Sequence, residues 1–375
     1  RPVSAPAQRR LDCDFLRVAS MIGVIYLHAA ADSLRNAGGL EWYCVNLITS
    51  LATAAVPLFF MLSGALLLSQ EKTADLSYLF RRRLPKVLVP LLAWSAVVVA
   101  VTLVRSGPDA AGALLIRLPS TPVVVPYWFL YTLVPLYLLT PLLKPMADAL
   151  SDAHWRYLLL LWGILTIGFG TLHAFLPAGC SAATFLTLCT STRMITEGGY
   201  VGYFLLGAWL MRLERLPDRR FLWSAALADV LVIAAGTWYL WSPGTVYDER
   251  FKNYLHLFTA VLATSLFLLV RSYARNRSSG RWITLLSGLS FGAYLAHPLA
   301  IAFWLSLWSD FSGGIPSGLA QHVLFFLIVL FSTLLGVFAV SSLKPLCYLL
   351  TGQRFSAACR ESNLFALFHR QPMEK

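Results

Sequence analysis

Charged residues are scarce in this chain of 375 residues. Asp, Glu, Lys and Arg make up 13% of it and hydrophobic residues 58%, whereas about 25% charged residues is usual for a soluble globular protein. This composition excludes a water-soluble enzyme. Acidic residues are the scarcer sign, 18 against 30 basic ones, for a net charge of +12. In an apolar chain such an excess is typical of a membrane protein, because its cytoplasmic loops collect Lys and Arg. The expected partner is therefore a lipid bilayer, and no nucleic acid is expected.

Clusters of metal-ligating residues are also missing. The six cysteines are scattered, with no CxxC pair and no His/Cys ligand spacing, which argues against zinc or an iron–sulfur cluster. We therefore expect no metal. Cys180 and Cys189 fall in one predicted outside loop. Two interpretations stay open: the two residues form a disulfide, if the loop faces an oxidising compartment, or they are two free thiols.

Long apolar runs fill the chain instead. A helix needs about 20 apolar residues to cross about 30 Å of hydrocarbon, and windows of that length predict about ten membrane-spanning helices. The fold class is thus all-α, a polytopic integral membrane protein. The predicted segments lie approximately at 15–34, 44–69, 87–105, 127–147, 157–177, 198–211, 221–241, 254–270, 282–308 and 321–350.

The basic residues are unevenly divided between the predicted loops. With the N-terminus inside the cell, 22 of the 30 Lys and Arg residues lie in cytoplasmic segments and 6 in outside ones. This asymmetry predicts that both termini are cytoplasmic. No outside loop is long enough for a separate domain, and no internal repeat is visible. We therefore expect residues 1–375 to form a single membrane domain, with the spans at approximately 11–350 and short cytoplasmic tails at 1–10 and 351–375.

The first predicted helix carries two ionisable groups at membrane depth. Arg17 and His28 are eleven residues apart, which on an α-helix is about three turns plus 20° and a rise of about 16.5 Å, so both lie on one stripe. Asp14 precedes Arg17 by three residues and is placed to hold its guanidinium. Ionisable side chains inside a membrane are energetically costly, so such residues are the first candidates for a functional site. The alternative is that Arg17 snorkels to the headgroups and His28 is a hydrogen-bonded packing histidine.

A dense cationic run precedes the third predicted helix. It reads Phe80-Arg-Arg-Arg-Leu-Pro-Lys-Val-Leu-Val-Pro90. Pro85 suits a first helical turn, and the free amides of a helix start favour anions. Two interpretations stay open, a binding site for phosphates and an ordinary positive-inside anchor.

Four further polar positions are candidate contacts. Ser63 lies in the second predicted helix, Trp128 opens the fourth, and Glu197 precedes the sixth. Trp128 is equally typical of an interfacial aromatic belt, and Glu197 is either a solvated carboxylate or an acceptor-binding group. His297 precedes Pro298, whose ring frees a backbone carbonyl one turn back, so a structural partner for His297 is an alternative to a catalytic role.

The chain resembles the bacterial membrane acyltransferase-3 family, which includes O-acetyltransferases of cell-surface glycans, in four sequence blocks. The resemblance covers approximately residues 11–350. One departure is that the family's Arg-x-x-Arg is here Arg83-x-x-Lys86, which keeps the charge but loses the bidentate fork. The blocks are Arg17-x10-His28, Val56-Pro-Leu-Phe-Phe-Met-Leu-Ser-Gly64, Tyr127-Trp-Phe-Leu-Tyr-Thr-Leu-Val-Pro-Leu-Tyr137 and Phe291-Gly-Ala-Tyr-Leu-Ala-His297.

The resemblance implies an O-acyltransferase in the bacterial cytoplasmic (inner) membrane. It is expected to move an acyl group, acetyl in the first instance, from cytoplasmic acetyl-CoA to a hydroxyl of a cell-surface glycan or glycolipid. His28 is then the general base, since neutral imidazole accepts a proton readily. Arg17 binds the donor or orients His28, with Asp14 supporting it.

The same resemblance suggests which residues bind the two substrates. The CoA phosphates are assigned to Arg82, Arg83 and Lys86, together with Arg17. Substrate contacts are assigned to Ser63, Trp128, Glu197 and His297, with Ser63 the first hydroxyl to consider for a covalent intermediate. Two other functions stay open at this point, a transporter or flippase for a lipid-linked glycan and an acyltransferase with a non-carbohydrate acceptor.

Overall fold

The computed structural model describes residues 9–177, 199–241, 248–314 and 318–368. Within these ranges the chain is helical, with short 3-10 and π-helical turns and no β-strand. The α-helices are α1 (Leu11–Ala29), α2 (Ala31–Asn36), α3 (Gly39–Ala52), α4 (Ala55–Leu67), α5 (Leu76–Tyr78), α6 (Leu84–Ser106), α7 (Pro108–Arg117), α8 (Trp128–Ala149), α9 (Asp152–Trp162), α10 (Phe169–Phe175), α11 (Gly199–Arg212), α12 (Arg219–Leu240), α13 (Leu257–Ala274), α14 (Arg281–Ser312), α15 (Leu319–Ser341), α16 (Lys344–Thr351) and α17 (Phe355–Glu361).

Eight helical segments in the described ranges are long and apolar enough to cross a membrane. Each matches one of the ten predicted spans, so the all-α polytopic class is confirmed. The two other predicted spans are present as α1 and α11, but α1 is rich in charge at its start and α11 has 14 residues. Ten crossings and cytoplasmic termini stay predictions. The eight segments are Gly39–Leu67, Leu76–Ser106, Val125–Ala149, Asp152–Phe175, Arg219–Leu240, Leu257–Ala274, Arg281–Ser312 and Leu319–Ser341.

Helix α1 lies at the centre of the bundle. It packs against α3, α4, α13, α14 and α15. Its apolar side is fully enclosed, because Leu16 is 1% exposed and Met21 and Ile25 are 0% exposed. A helix surrounded in this way is apolar on most sides, and the polar residues that it does carry are therefore directed at internal sites rather than at lipid.

Helices α4 and α11 make the tightest contact in the bundle, through two glycines. A methyl group added at Gly64 would overlap the backbone carbonyl of Phe204, and one added at Gly207 would overlap that of Met61. Small residues at a membrane helix interface let two backbones approach closely. This contact fixes α4, which carries Ser63, against its neighbour.

The chain beyond residue 350, predicted as a tail, folds back onto the bundle as far as residue 368. It contains the end of α16, then α17 and a 3-10 turn at Leu364–Leu367. Trp94 Nε1 in α6 donates to Leu350 O at 2.9 Å, and Asn363 Nδ2 donates to Ser341 O at 3.0 Å. The first bond attaches the end of α16 to α6, and the second attaches the segment that follows to the end of α15.

Candidate active site

The first half of the site is built around Asp14, near the start of α1. Its carboxylate accepts hydrogen bonds from Arg9 (Nη2 to Oδ1, 2.8 Å), Ser279 (Oγ to Oδ2, 2.6 Å) and Ser287 (Oγ to Oδ1, 2.6 Å). It also forms the ion pair with Arg17 that the spacing predicts, with Nη1 3.3 Å from Oδ1. Arg17 Nη1 donates to Ser287 Oγ at 2.9 Å as well. Asp14 thus holds two arginines side by side, of which the sequence indicated only Arg17.

These arginines face a cavity of about 520 Å³, called here the Arg17 cavity. Arg83 and Lys86 also line it, while Arg82 is exposed and is not among its lining residues. Ser63 lies in its wall, so the structure brings together Arg17, Ser63, Arg83 and Lys86 from three separate sequence blocks. Its lining cations are Arg9, Arg17, Arg83, Lys86 and Arg354.

A π-helical turn at Leu79–Arg83 presents the cationic run to this cavity. Such turns are frequent at functional sites. The Arg83 guanidinium donates to the side-chain oxygen of Gln70 and lies 5.2 Å from the centroid of the Tyr78 ring. Arg83 is therefore held in place, while Lys86, one helical turn further on, is exposed.

A second cavity, of about 340 Å³, lies around His28 at the other end of α1 and is called here the His28 cavity. Trp128 lines it between two tyrosines. The Trp128 ring stacks on Tyr254, with centroids 5.9 Å apart and planes at 16°, and lies 5.4 Å from Tyr200. Such an aromatic surface beside polar groups is typical of a binding pocket. Polar lining residues include Arg35, Thr49, Thr53, Glu249, Lys252 and Asn253.

Lys252 is a buried lysine of the His28 cavity that the sequence did not single out. It lies in the loop before α13, and its ammonium donates to Asn46 Oδ1 and to Thr49 Oγ1, both at 2.7 Å. Thr53 Oγ1 donates in turn to Lys252 O at 2.9 Å. Burial lowers the pKa of Lys252 to about 7. These bonds fix the loop, and with it Glu249, against α3.

His297 lies where the two cavities approach each other. Its ring centroid is 5.2 Å from that of His28, which lines the His28 cavity, and 5.8 Å from that of Tyr294, which lines the Arg17 cavity. The predicted structural partner is present, because His297 Nδ1 is 2.5 Å from Tyr294 O, the carbonyl four residues before Pro298. A carbonyl oxygen only accepts, so Nδ1 carries the proton and Nε2 is left as an acceptor.

That Nε2 atom of His297 is buried, and among the described residues it has no hydrogen-bond partner. Buried polar atoms are seldom left in this state, and an exception calls for an explanation. Two hydrogen bonds tie the α14 segment that carries His297 to the residues before α8. Tyr127 Oη donates to Leu295 O at 2.7 Å, and the Tyr294 hydroxyl donates to Pro126 O. His297 thus places an imidazole with a free acceptor nitrogen next to the ring of His28.

Glu197, Cys180 and Cys189 lie outside the described residues. In the part of the chain that the structure does describe, no group of three His, Cys, Asp or Glu side chains is placed to hold a metal ion. Apart from Arg82, the remaining predicted residues divide between the two cavities. Arg17, Ser63, Arg83 and Lys86 line one and His28 and Trp128 the other, with Asp14 and His297 in contact with them.

Comparison with known proteins identifies the family of the chain. A family model described as an acyltransferase domain, acyltransferase 3, matches residues 10–342. The succinoglycan biosynthesis protein ExoH of Rhizobium meliloti (strain 1021) is 27% identical to the chain over 379 aligned residues, which cover 92% of each protein. No solved structure matches the chain significantly. The family model spans most of the chain, including helix α1, which carries Arg17 and His28. The chain therefore belongs to the membrane acyltransferase-3 family.

Proposed function

We propose that this protein transfers an acyl group, acetyl in the first instance, from acetyl-CoA in the Arg17 cavity to a glycan hydroxyl in the His28 cavity. One observation carries the proposal. A single helix, α1, places Arg17 in a cation-lined cavity and His28 in a second, aromatic one. The rise between them is about 16.5 Å, which is comparable to an extended pantetheine arm.

The charges of the Arg17 cavity suit the donor. Five cations line it, against one carboxylate, that of Glu361, among the described lining residues. Phosphates are bound well by guanidinium and ammonium groups. The aromatic residues Phe59, Phe129 and Phe291 line the same cavity and give the arm an apolar path towards His28. Arg82 is exposed outside the cavity, so within the cationic run we assign the phosphates to Arg83 and Lys86.

The His28 cavity suits a carbohydrate acceptor. The faces of Trp128, Tyr200 and Tyr254 present flat apolar surface to the C–H groups of a sugar, and Glu249 and Asn253 supply hydrogen-bonding groups for its hydroxyls. The name of the relative ExoH, a succinoglycan biosynthesis protein, supports a polysaccharide or its glycolipid precursor. The excess of basic residues at the Arg17 end supports a cytoplasmic donor and an outward-facing acceptor in the inner membrane of a bacterium.

The proposed reaction is a direct acyl transfer. An imidazole nitrogen of His28 takes the proton of the acceptor hydroxyl as its oxygen attacks the thioester carbonyl carbon. The tetrahedral intermediate then breaks its C–S bond, and the leaving CoA thiolate takes the proton from the imidazolium. The products are the O-acyl ester and free CoA thiol, with His28 neutral again. Nε2 of His297, which has no hydrogen-bond partner among the described residues, is available to accept a hydrogen bond from a group bound beside His28.

The acceptor and the acyl group are identified by one experiment. Surface polysaccharides and glycolipids from cells with and without the gene are compared by mass spectrometry. We expect an O-acyl group to disappear with the gene and to return with the wild-type copy. Unchanged acylation, together with accumulation of an intact lipid-linked glycan on the inner side, would instead favour a transporter.

Charge reversal at the cationic run should weaken donor binding. In the double variant Arg83→Glu, Lys86→Glu we expect the KM for acetyl-CoA to rise by about 100-fold or more, because two charged contacts to phosphate are lost and each is worth about 1.5–3 kcal/mol before the repulsion is added. The matched control is Arg82→Glu, since Arg82 is exposed and is not among the cavity-lining residues. Steady-state kinetics on purified protein measure both, and an unchanged KM in the double variant rejects the phosphate role.

Truncation of the aromatic surface should affect the acceptor alone. Trp128→Ala should lower O-acylation of the polysaccharide about tenfold, because the ring that stacks on Tyr254 is removed. Trp128→Phe keeps an aromatic face and should recover part of the activity. Acetyl-CoA binding, measured by titration, should stay at the wild-type level in both variants. Equal loss of donor binding would contradict the assignment of Trp128 to the acceptor.

A further inference from the structure

The C-terminal cap, defined here as residues 344–367, forms part of the wall of the Arg17 cavity. Gly352, Gln353, Arg354, Ala357 and Glu361 line the cavity from this side. The family model ends at residue 342, so none of these residues belongs to the region that defines the family. The wall of the cavity is therefore completed by a segment that lies beyond the family match.

The cap is attached to the bundle at the cavity edge. The side-chain NH2 group of Gln353 donates to Gly288 O in α14, and within the cap its side-chain oxygen accepts from Ser362 Oγ at 2.6 Å. At the other end of the cap, Glu361 forms an ion pair with Arg9. Cap and bundle are thus linked on two sides of the same cavity, and the cap is a fixed wall of it.

Gly352 brings the cap into direct contact with the cationic run. Its φ of +67° is in the left-handed region, and a methyl group added there would overlap Lys86 O. Only glycine adopts this conformation without strain and permits this approach. Arg354, two residues later, consequently lies on the same cavity as Arg83 and Lys86.

Arg354 is an uncommitted cation on this cavity. It is exposed, and of the residues that the structure describes none forms an ion pair with it. The one carboxylate among the described lining residues, Glu361, is already paired with Arg9. An unpaired guanidinium at the open side of a cation-lined cavity is suited to a phosphate that lies far from the reacting end of the ligand.

We propose that the C-terminal cap is part of the donor site and that Arg354 binds the 3′-phosphate of coenzyme A. This rests on the proposed function, since it takes the Arg17 cavity to be the CoA site. With the thioester directed along α1 towards His28, the adenosine end of CoA lies at the exposed side of the cavity. Its 3′-phosphate then meets Arg354, and the diphosphate meets Arg83 and Lys86.

The test compares CoA with dephospho-CoA, which lacks only the 3′-phosphate. Both are titrated against the purified full-length wild type, Arg354→Gln and Arg360→Gln. Arg360 is the matched control, because it is an exposed arginine of α17, the helix that follows Arg354, and it is not among the cavity-lining residues. We expect the wild type and Arg360→Gln to bind CoA about tenfold more tightly than dephospho-CoA, a typical effect of one charge-assisted contact. Arg354→Gln should bind the two alike.

The comparison within each variant separates recognition from folding. A folding defect in Arg354→Gln would weaken both ligands equally and leave the preference for CoA intact, which overturns the role of Arg354. A wild type that binds both ligands equally overturns it too. If the wild type binds neither CoA nor dephospho-CoA, the proposed function fails and this inference fails with it. Loss of the preference in Arg354→Gln alone supports both.

Discussion

Replacement of His28 by alanine is expected to lower acyl transfer by about 10²–10⁴-fold, the usual contribution of a positioned general base. The imidazole lines the His28 cavity from the end of α1, next to His297. Without it, the acceptor hydroxyl has no group at this position to take its proton as it attacks the thioester. The product is measured as O-acyl groups on polysaccharide from a deletion strain that carries the variant gene.

Two controls make the His28→Ala result specific. His154→Ala removes an exposed histidine at the start of α9, where its Nδ1 forms a hydrogen bond with Ser151 Oγ at 2.7 Å, and should leave transfer unchanged. Acetyl-CoA binding by His28→Ala should also be unchanged, because the cations of the other cavity are intact. Near-normal product in His28→Ala would remove His28 from the mechanism and favour its interpretation as a packing histidine.

The relation between Arg17, Asp14 and His28 was predictable because it is local. A helix turns by about 100° per residue, so sequence spacing alone places Arg17 and His28 on one stripe and Asp14 beside Arg17. The structure places all three on α1 and shows the ion pair between Asp14 and Arg17. The apolar runs likewise predicted the helices, since membrane length limits are set by the solvent.

The lining of the cavities was less predictable because it depends on contacts between distant segments. Arg9 and Arg354 lie in regions predicted as tails, and a cation there is indistinguishable in sequence from a positive-inside anchor. Tyr254 and Lys252 stand in a loop, and only the packing of that loop on α3 brings them to His28. Helix breaks such as the one between α15 and α16 also depend on tertiary contacts rather than on hydropathy.

Alanine at Gly64 or at Gly207 is expected to destabilise the protein more than any other substitution considered for this bundle. At each position the new methyl group would overlap a backbone carbonyl of the facing helix, that of Phe204 or Met61. A backbone, unlike a flexible side chain, cannot move aside without moving its whole helix. We therefore expect a loss of at least about 3 kcal/mol, at the upper end of the range for overpacked cores, measured as thermal unfolding in detergent.

Gly336→Ala is the matched control for the two helix-contact glycines. Gly336 lies inside α15, yet a methyl group there would meet nothing within 4 Å. Alanine is better than glycine in a helix by about 0.8–1.0 kcal/mol, so this variant should be as stable as the wild type or more so. Opposite signs for the same Gly→Ala change would show that the α4–α11 approach, not helix propensity, requires glycine. Equal stability of all three variants would mean that α4 and α11 are not in backbone contact, and that Ser63 is positioned by something else.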